Sequence, residues 1–175
     1  MSFERALNIV LKHEGGYVNH RLDKGGPTKQ GVTQSTYDSW RRSNNLPVRE
    51  VKLIDGHEVA EVYRSVYWTP AKCDELPSKL AIVMFDLAVN SGVRKSVIVL
   101  QRVLGISDDG VFGPKTKAAL TKTLQTLGED WIVSSYLDER EDFYLDIVRT
   151  HPSQGVFLKG WQNRVDSLRT EVRQV

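Results

Sequence analysis

Two carboxyl side chains near the start of the chain have the type and spacing that acid–base chemistry requires. Glu14 follows Leu7 by two helical turns, so it continues the apolar side of a predicted helix and should be partly removed from water. Partial burial favours the protonated form of a carboxyl, which a general acid needs. Asp23 lies in a glycine-rich segment and should be solvated and ionised. Glycoside hydrolysis uses two carboxyls in such contrasting environments.

Two threonine hydroxyls follow the second carboxyl. Thr28 and Thr33 could hold a water molecule or a sugar hydroxyl beside Asp23. Glu14 and Asp23 also fit a purely structural role, because polar residues before glycines are common at helix ends and aspartate is common in turns. Residue types and spacing alone therefore leave both interpretations open.

The elements that must position these residues are mainly helical. Apolar residues recur at helical spacing from Phe3 to Glu14, and two glycines then end the helix. Extended segments around residues 17–18 and 30–32 predict a small β-hairpin or glycine-rich loop. Further helices are predicted over residues 34–43, 55–68, 78–92, 94–104, 114–127, 129–149 and 155–173. The expected fold class is all-α with a small N-terminal β-hairpin, and the apolar helix 78–92 should lie at its centre.

Composition and charge exclude several classes of function. The chain has 175 residues and a net charge of only +2, which argues against a dedicated nucleic-acid-binding protein. Its most basic stretch, residues 164–173, is interpreted first as a solvated helix face and second as a weak aid to approaching an anionic polymer. No histidine, cysteine or acidic residues have metal-ligand spacing, so no metal or cofactor is implied. The single cysteine, Cys73, is either a nucleophile or an incidental thiol, and the second interpretation is favoured because no catalytic signature surrounds it.

Three segments resemble a known family. EGGYV at residues 14–18 and DKGGPTKQGVT at residues 23–33 are similar to the signature of glycoside hydrolase family 108, and FDLAVNSG at residues 85–92 resembles its central helix. The family comprises N-acetylmuramidases found among phage endolysins and bacterial secretion activator proteins. The resemblance implies a lysozyme-like helical fold in which Glu14 is the catalytic acid.

The resemblance also suggests partners for this acid. The interval from Glu14 to Asp23, with a threonine soon after, is similar to phage-type lysozymes, in which the aspartate and threonine position the attacking water. Asp23 and Thr28 are therefore the expected catalytic partners, and Thr33 is the competing hydroxyl. The expected substrate contacts are Tyr17, Gln30, Thr33, Tyr67 and Asn90.

The second half of the chain resembles small helical peptidoglycan-binding modules, through LQRVLG at residues 100–105 and DGVFGPKT at residues 109–116. This motif also suits a plain helix–turn–helix corner, so binding and packing roles both stay open. The expected organisation is a muramidase catalytic region at 1–92 and a peptidoglycan-binding-like region at 93–175, packed into one body.

The expected function is hydrolysis of the β-1,4 bond between N-acetylmuramic acid and N-acetylglucosamine. The alternatives are a lytic transglycosylase or chitinase-type glycosidase, or a non-catalytic peptidoglycan-binding module that assists secretion. Neither a signal peptide nor a membrane-spanning stretch is recognisable. The protein is therefore expected to be made in the cytoplasm, to stay out of the membrane, and to reach the cell wall through a holin or another release pathway. It is also expected to be a monomer.

Overall fold

The structure, a computed structural model, describes residues 3–16 and 27–175. The chain divides into two compact units, Met1–Trp68 and Thr69–Val175. The described residues form eight α-helices and one two-stranded antiparallel hairpin, which confirms the prediction of an all-α, lysozyme-like fold with a small β element. Among these residues, no helix combines the length and the apolar character that crossing a bilayer would require.

The first unit is a set of short helices around the hairpin. In chain order it contains helix α1 (Phe3–Leu11), strands β1 (Thr28–Lys29) and β2 (Val32–Thr33), helix α2 (Gln34–Ser43), a 3₁₀ turn (Val51–Leu53), helix α3 (Gly56–Tyr63) and a π-helical turn (Arg64–Trp68). Two predicted helix starts are confirmed by their caps. The Thr33 hydroxyl accepts a hydrogen bond from the Thr36 N–H, and the Asp55 carboxylate accepts one from the Glu58 N–H.

Helix α1 ends earlier than predicted. Its last α-helical residue is Leu11, and the N–H groups of residues 12–14 bond three residues back, to Ile9, Val10 and Leu11. This tighter last turn uses carbonyl groups that would otherwise lack partners at a helix end. Glu14 therefore lies just beyond the helix, and not within it.

The hairpin turns at Gln30 and Gly31. Both residues have positive φ, 49° and 77°, which is the pattern of a two-residue type I′ turn. The prediction of an extended segment at 30–32 is wrong for these two residues. The Lys29 ammonium anchors the hairpin, because it donates to the backbone carbonyls of Lys52 and Ile54, each at 2.9 Å.

A buried carboxylate joins α2 to α3 in the first unit. Glu58 accepts hydrogen bonds from Tyr37 at 2.7 Å and from Arg41 and Arg49 at 2.5 Å each. Burial alone would raise the pKa of Glu58, but the hydrogen bonds from Tyr37 and Arg49 outweigh it, so the pKa lies below its ordinary value. This carboxylate is therefore expected to hold the first unit together only while it is ionised.

Glu58→Gln is expected to destabilise the protein at neutral pH by about 2 to 3 kcal/mol, since it leaves two guanidinium groups without their carboxylate partner. A carboxyl with a lowered pKa stabilises the fold above its unfolded pKa of about 4.3 and loses that effect as the pH falls through the folded pKa. Urea unfolding should therefore show a large difference between wild type and variant at pH 7 and a small one in acid. Glu61→Gln, at an exposed position of the same helix, is the matched control.

The second unit is built around one buried helix. In chain order it contains a 3₁₀ turn (Cys73–Glu75), helices α4 (Ser78–Ser91), α5 (Val93–Val103), α6 (Pro114–Leu127) and α7 (Glu129–Thr150), a 3₁₀ segment (Pro152–Phe157) and helix α8 (Leu158–Arg173). Every residue from Leu80 to Ala88 is buried, and α4 contacts α5, α7 and α8. The apolar helix thus lies at the centre of this unit, as its composition indicated.

A buried charge cluster crosses the core of the second unit. Asp86 on α4 is fully buried, and its carboxylate lies 2.8 Å from Arg140 Nη1 and 2.9 Å from Arg164 Nη2. Burial alone would raise the pKa of Asp86, but the two guanidinium groups hold it below its ordinary value. The interpretation of residues 164–173 as a solvated face is wrong at Arg164, whose side chain is only 11% exposed.

Candidate active site

Glu14 lies half-buried at the open end of α1. Its neighbours in the chain, Gly15 and Gly16, are exposed, and no described atom lies within 4 Å of where a Cβ would stand on either. Among the described residues, none beyond the immediate chain neighbours crowds these two glycines next to Glu14.

The hairpin turn closes the other side of the carboxyl. A Cβ added to Gly31 would lie 3.0 Å from Glu14 Oε2 and 2.3 Å from the hydroxyl oxygen of Tyr63. The Tyr63 hydroxyl in turn donates to the Gln30 carbonyl at 2.8 Å. Only glycine fits here, because position 31 combines a positive φ with no room for a side chain.

The π-helical turn brings a second phenol to this carboxyl. Tyr67 is half-buried, and its ring lies 5.6 Å from that of Tyr63, one helical turn earlier. Burial raises the pKa of Tyr67, and the negative charge of Glu14 raises it further. Tyr67 is therefore a neutral hydrogen-bond donor at physiological pH and lies within electrostatic reach of Glu14.

The structure thus brings Glu14, the turn at Gln30 and Tyr67 together. Tyr63, which is fully buried, is a neighbour of Glu14 that was not among the predicted site residues. Its spacing of four residues from Tyr67 was the available signal, because such residues share a helix face. Gln30, the hydrogen-bond partner of Tyr63, lies 33 residues earlier in the chain, so no local pattern predicts this contact.

The two threonines of the predicted site pair with each other across the hairpin. Thr28 is half-buried on β1. The Thr33 hydroxyl caps α2 and also lies within 3.2 Å of the hydroxyls of Ser35 and Thr36. Of the two, Thr33 therefore has the clear structural role. The predicted residues Tyr17 and Asp23, and the extended segment at 17–18, lie outside the described residues.

Asn90 belongs to the second unit, at the C-terminal end of α4, and is half-buried. Its Oδ1 accepts hydrogen bonds from the hydroxyls of Tyr144 at 2.6 Å and Ser91 at 2.9 Å. Tyr144 accepts one from Arg140 Nε at 2.8 Å, so the Asn90 amide is linked to the buried charge cluster.

The other candidate groups for nucleophilic or metal chemistry can be judged in the part of the chain that the structure describes. Cys73 is buried, and burial raises the pKa of its thiol well above the ordinary range, so it is not a thiolate at neutral pH. In the stretches 3–16 and 27–175, no three histidine, cysteine or acidic side chains cluster as metal ligands would.

Comparison with known proteins identifies the family. The family model described as glycosyl hydrolase 108 matches residues 7–92, and the family model described as a predicted peptidoglycan domain matches residues 95–166. The solved structure of SagA from Brucella abortus is 32% identical, with 98% of this chain and 94% of that chain covered and a TM-score of 0.79. A search of curated proteins finds no match. The chain therefore belongs to glycosyl hydrolase family 108, as a lysozyme-like peptidoglycan hydrolase with a peptidoglycan-binding module in its C-terminal half.

Proposed function

We propose that the protein is an N-acetylmuramidase that hydrolyses the β-1,4 bond between N-acetylmuramic acid and N-acetylglucosamine, with Glu14 as the general acid. The observation that carries the proposal is the setting of the Glu14 carboxyl. It is half-buried, lies against the turn at Gly31, and is within electrostatic reach of the Tyr67 phenol. A general acid needs this combination of partial burial and access.

In the proposed reaction Glu14 donates its proton to the glycosidic oxygen as the bond from that oxygen to the anomeric carbon breaks. Asp23 and Thr28 orient a water molecule, whose oxygen forms the new bond to the anomeric carbon. Asp23 accepts the proton of that water and its charge stabilises the oxocarbenium-like transition state. Gln30, Thr33, Tyr17, Tyr67 and Asn90 are the proposed substrate contacts.

We also propose that the two halves of the chain have different roles. Residues 1–92 carry the catalytic groups, and residues 93–175 hold the polymer. The protein acts on the cell wall as a monomer, because one copy of the chain carries both parts. Peptidoglycan is the partner that both matched family models indicate.

The roles of Asp23 and Thr28 predict graded losses of activity. Asp23→Asn removes the base while it keeps the shape of the side chain, so the rate of peptidoglycan hydrolysis should fall by a factor of about 10² to 10³. Thr28→Val removes only the hydroxyl, and one lost hydrogen bond should cost about tenfold. The release of reducing ends from purified sacculi measures both.

Two variants serve as matched controls. Thr28→Ser retains the hydroxyl and should keep most of the activity. Asp142→Asn replaces an exposed aspartate of α7 and should leave the rate unchanged. If Asp23→Asn is as active as wild type, Asp23 has no role in positioning water, and the transglycosylase alternative, which needs no such water, gains support.

A further inference from the structure

The amide of Asn90 is held in one orientation by its neighbours. Arg140 Nε donates to the oxygen of Tyr144, so the Tyr144 proton must point elsewhere, and Asn90 Oδ1 lies 2.6 Å away. The Ser91 hydroxyl donates to the same Oδ1. The Asn90 nitrogen therefore points away from the hydroxyls of Tyr144 and Ser91. Its two N–H donors have no partner within the part of the chain that the structure describes.

An aromatic surface adjoins this amide through Tyr144. The ring of Tyr144 stacks on that of Trp161 with centroids 4.9 Å apart and planes at 19°, and Trp161 contacts Phe157 at 5.9 Å. Phe157 is 53% exposed, and the adjacent Val156 is 80% exposed. Phe157 therefore presents apolar surface to the solvent next to the partly exposed Trp161 ring.

An amide with free N–H donors, linked through Tyr144 to a partly exposed aromatic group, has the chemistry that recognises N-acetylated sugars. The acetamido carbonyl of such a sugar accepts N–H hydrogen bonds, and its ring presents C–H groups that pack on an aromatic face. A peptide carboxylate is a poorer match. Asp86 is ion-paired with Arg140 and Arg164, Arg140 is fully buried, and Lys95 lies over the Phe143 ring.

We infer that Asn90, Tyr144, Trp161 and Phe157 form a saccharide site on the second unit that holds an N-acetylated sugar of the glycan strand. Asn90 donates to the acetamido carbonyl, Trp161 and Phe157 provide the stacking surface, and Tyr144 is the positioning residue that orients Asn90. The inference rests on the proposed function, and it adds glycan recognition by the C-terminal module. Asn90 lies in the segment that the hydrolase family model matches, and the three aromatic residues lie in the segment that the peptidoglycan family model matches.

The test measures binding of three soluble probes to the full-length chain carrying Glu14→Gln, by calorimetry. The probes are a β-1,4 tetramer of N-acetylglucosamine, the corresponding glucose tetramer, which lacks acetamido groups, and a free stem peptide. The parent should bind the N-acetylated tetramer best and the stem peptide least. Trp161→Ala should weaken binding of both tetramers about tenfold or more. Trp131→Ala is the matched control, because this exposed tryptophan lies about 20 Å from Tyr144 along α7 and should change nothing.

Two further variants separate the hydrogen bond from the stacking surface. Asn90→Asp keeps the acceptor for Tyr144 but removes the N–H donors, so it should abolish the preference for the N-acetylated tetramer over the glucose tetramer. Tyr144→Phe should weaken binding of the N-acetylated tetramer about fivefold. Combined with Asn90→Asp it should add no further loss, because Tyr144 acts through Asn90.

Several results would overturn the inference. They are no binding of the N-acetylated tetramer by the parent, equal binding by parent and Trp161→Ala, tighter binding of the stem peptide, or additive effects of the Tyr144 and Asn90 substitutions. Phe157→Ala, at an exposed position, provides the stacking test if Trp161→Ala does not fold. Persistent hydrolysis by the Glu14→Gln parent would refute the proposed catalytic acid, a separate outcome from any of these.

Discussion

Replacing Glu14 with glutamine is expected to lower the rate of peptidoglycan hydrolysis by a factor of about 10³ or more, because glutamine keeps the shape and polarity of the side chain but has no proton to give to the leaving oxygen. General acid catalysis contributes about 10² to 10⁴ in rate. The effect should appear in kcat, with little change in binding of the polymer. Initial rates of turbidity loss on purified sacculi measure it.

Two comparisons make the Glu14 result specific. Glu61→Gln makes the same chemical change at an exposed position of α3 and should leave the rate unchanged. Glu14→Gln itself should unfold at the same urea concentration as wild type or close to it, since the side chain is only half-buried. A folded Glu14→Gln variant that clears sacculi at the normal rate would remove Glu14 from the mechanism.

Gly31→Ala is the second large effect that the structure predicts. The new Cβ would stand 2.3 Å from the Tyr63 hydroxyl and 3.0 Å from Glu14 Oε2. Tyr63 is fully buried and bonded to the Gln30 carbonyl, so it cannot simply turn away. The turn must move or the Glu14 carboxyl must be displaced. We expect a loss of about 2 to 4 kcal/mol in the free energy of unfolding, from overpacking and left-handed strain, and a fall in kcat of about tenfold or more.

A second substitution identifies the cause of the Gly31→Ala effect. Tyr63→Phe removes the hydroxyl that the new methyl group would meet, so the double variant should recover part of the lost stability but keep the strain of a positive φ. Gly56→Ala is the control. Its Cβ meets no described atom within 4 Å, and its first-turn position in α3 should accept alanine at no cost. Equal stability and activity of Gly31→Ala and wild type would contradict the packing of the turn against Glu14.

The helical framework could be predicted because its signals are local. Thr33 and Asp55 cap the helices that follow them, Pro114 begins α6, and the uninterrupted apolar run of α4 is buried on all sides. The turn at Gln30 and Gly31 was missed although its signal was local too. A glycine in second place between two short β-branched segments is typical of a type I′ turn.

The neighbours of Glu14 could not be predicted from local patterns. The contact between Tyr63 and Gln30 and the ion pairs of Asp86 with Arg140 and Arg164 join residues that are distant in the chain. An aspartate within an apolar helix does indicate a buried partner, because a lone charge in a core is costly. The sequence does not say which arginine supplies it. Asp23 and Tyr17 stay predictions, since they lie outside the described residues.

The products of the wild-type enzyme test the central claim most directly. Purified peptidoglycan is digested in water enriched in ¹⁸O, and the fragments are analysed by mass spectrometry with and without borohydride reduction. Hydrolysis of the proposed bond predicts N-acetylmuramic acid at every new reducing end, with one ¹⁸O atom at that end and conversion to the alditol on reduction. Fragments that end in 1,6-anhydro-N-acetylmuramic acid, or in N-acetylglucosamine at the reducing end, would contradict it.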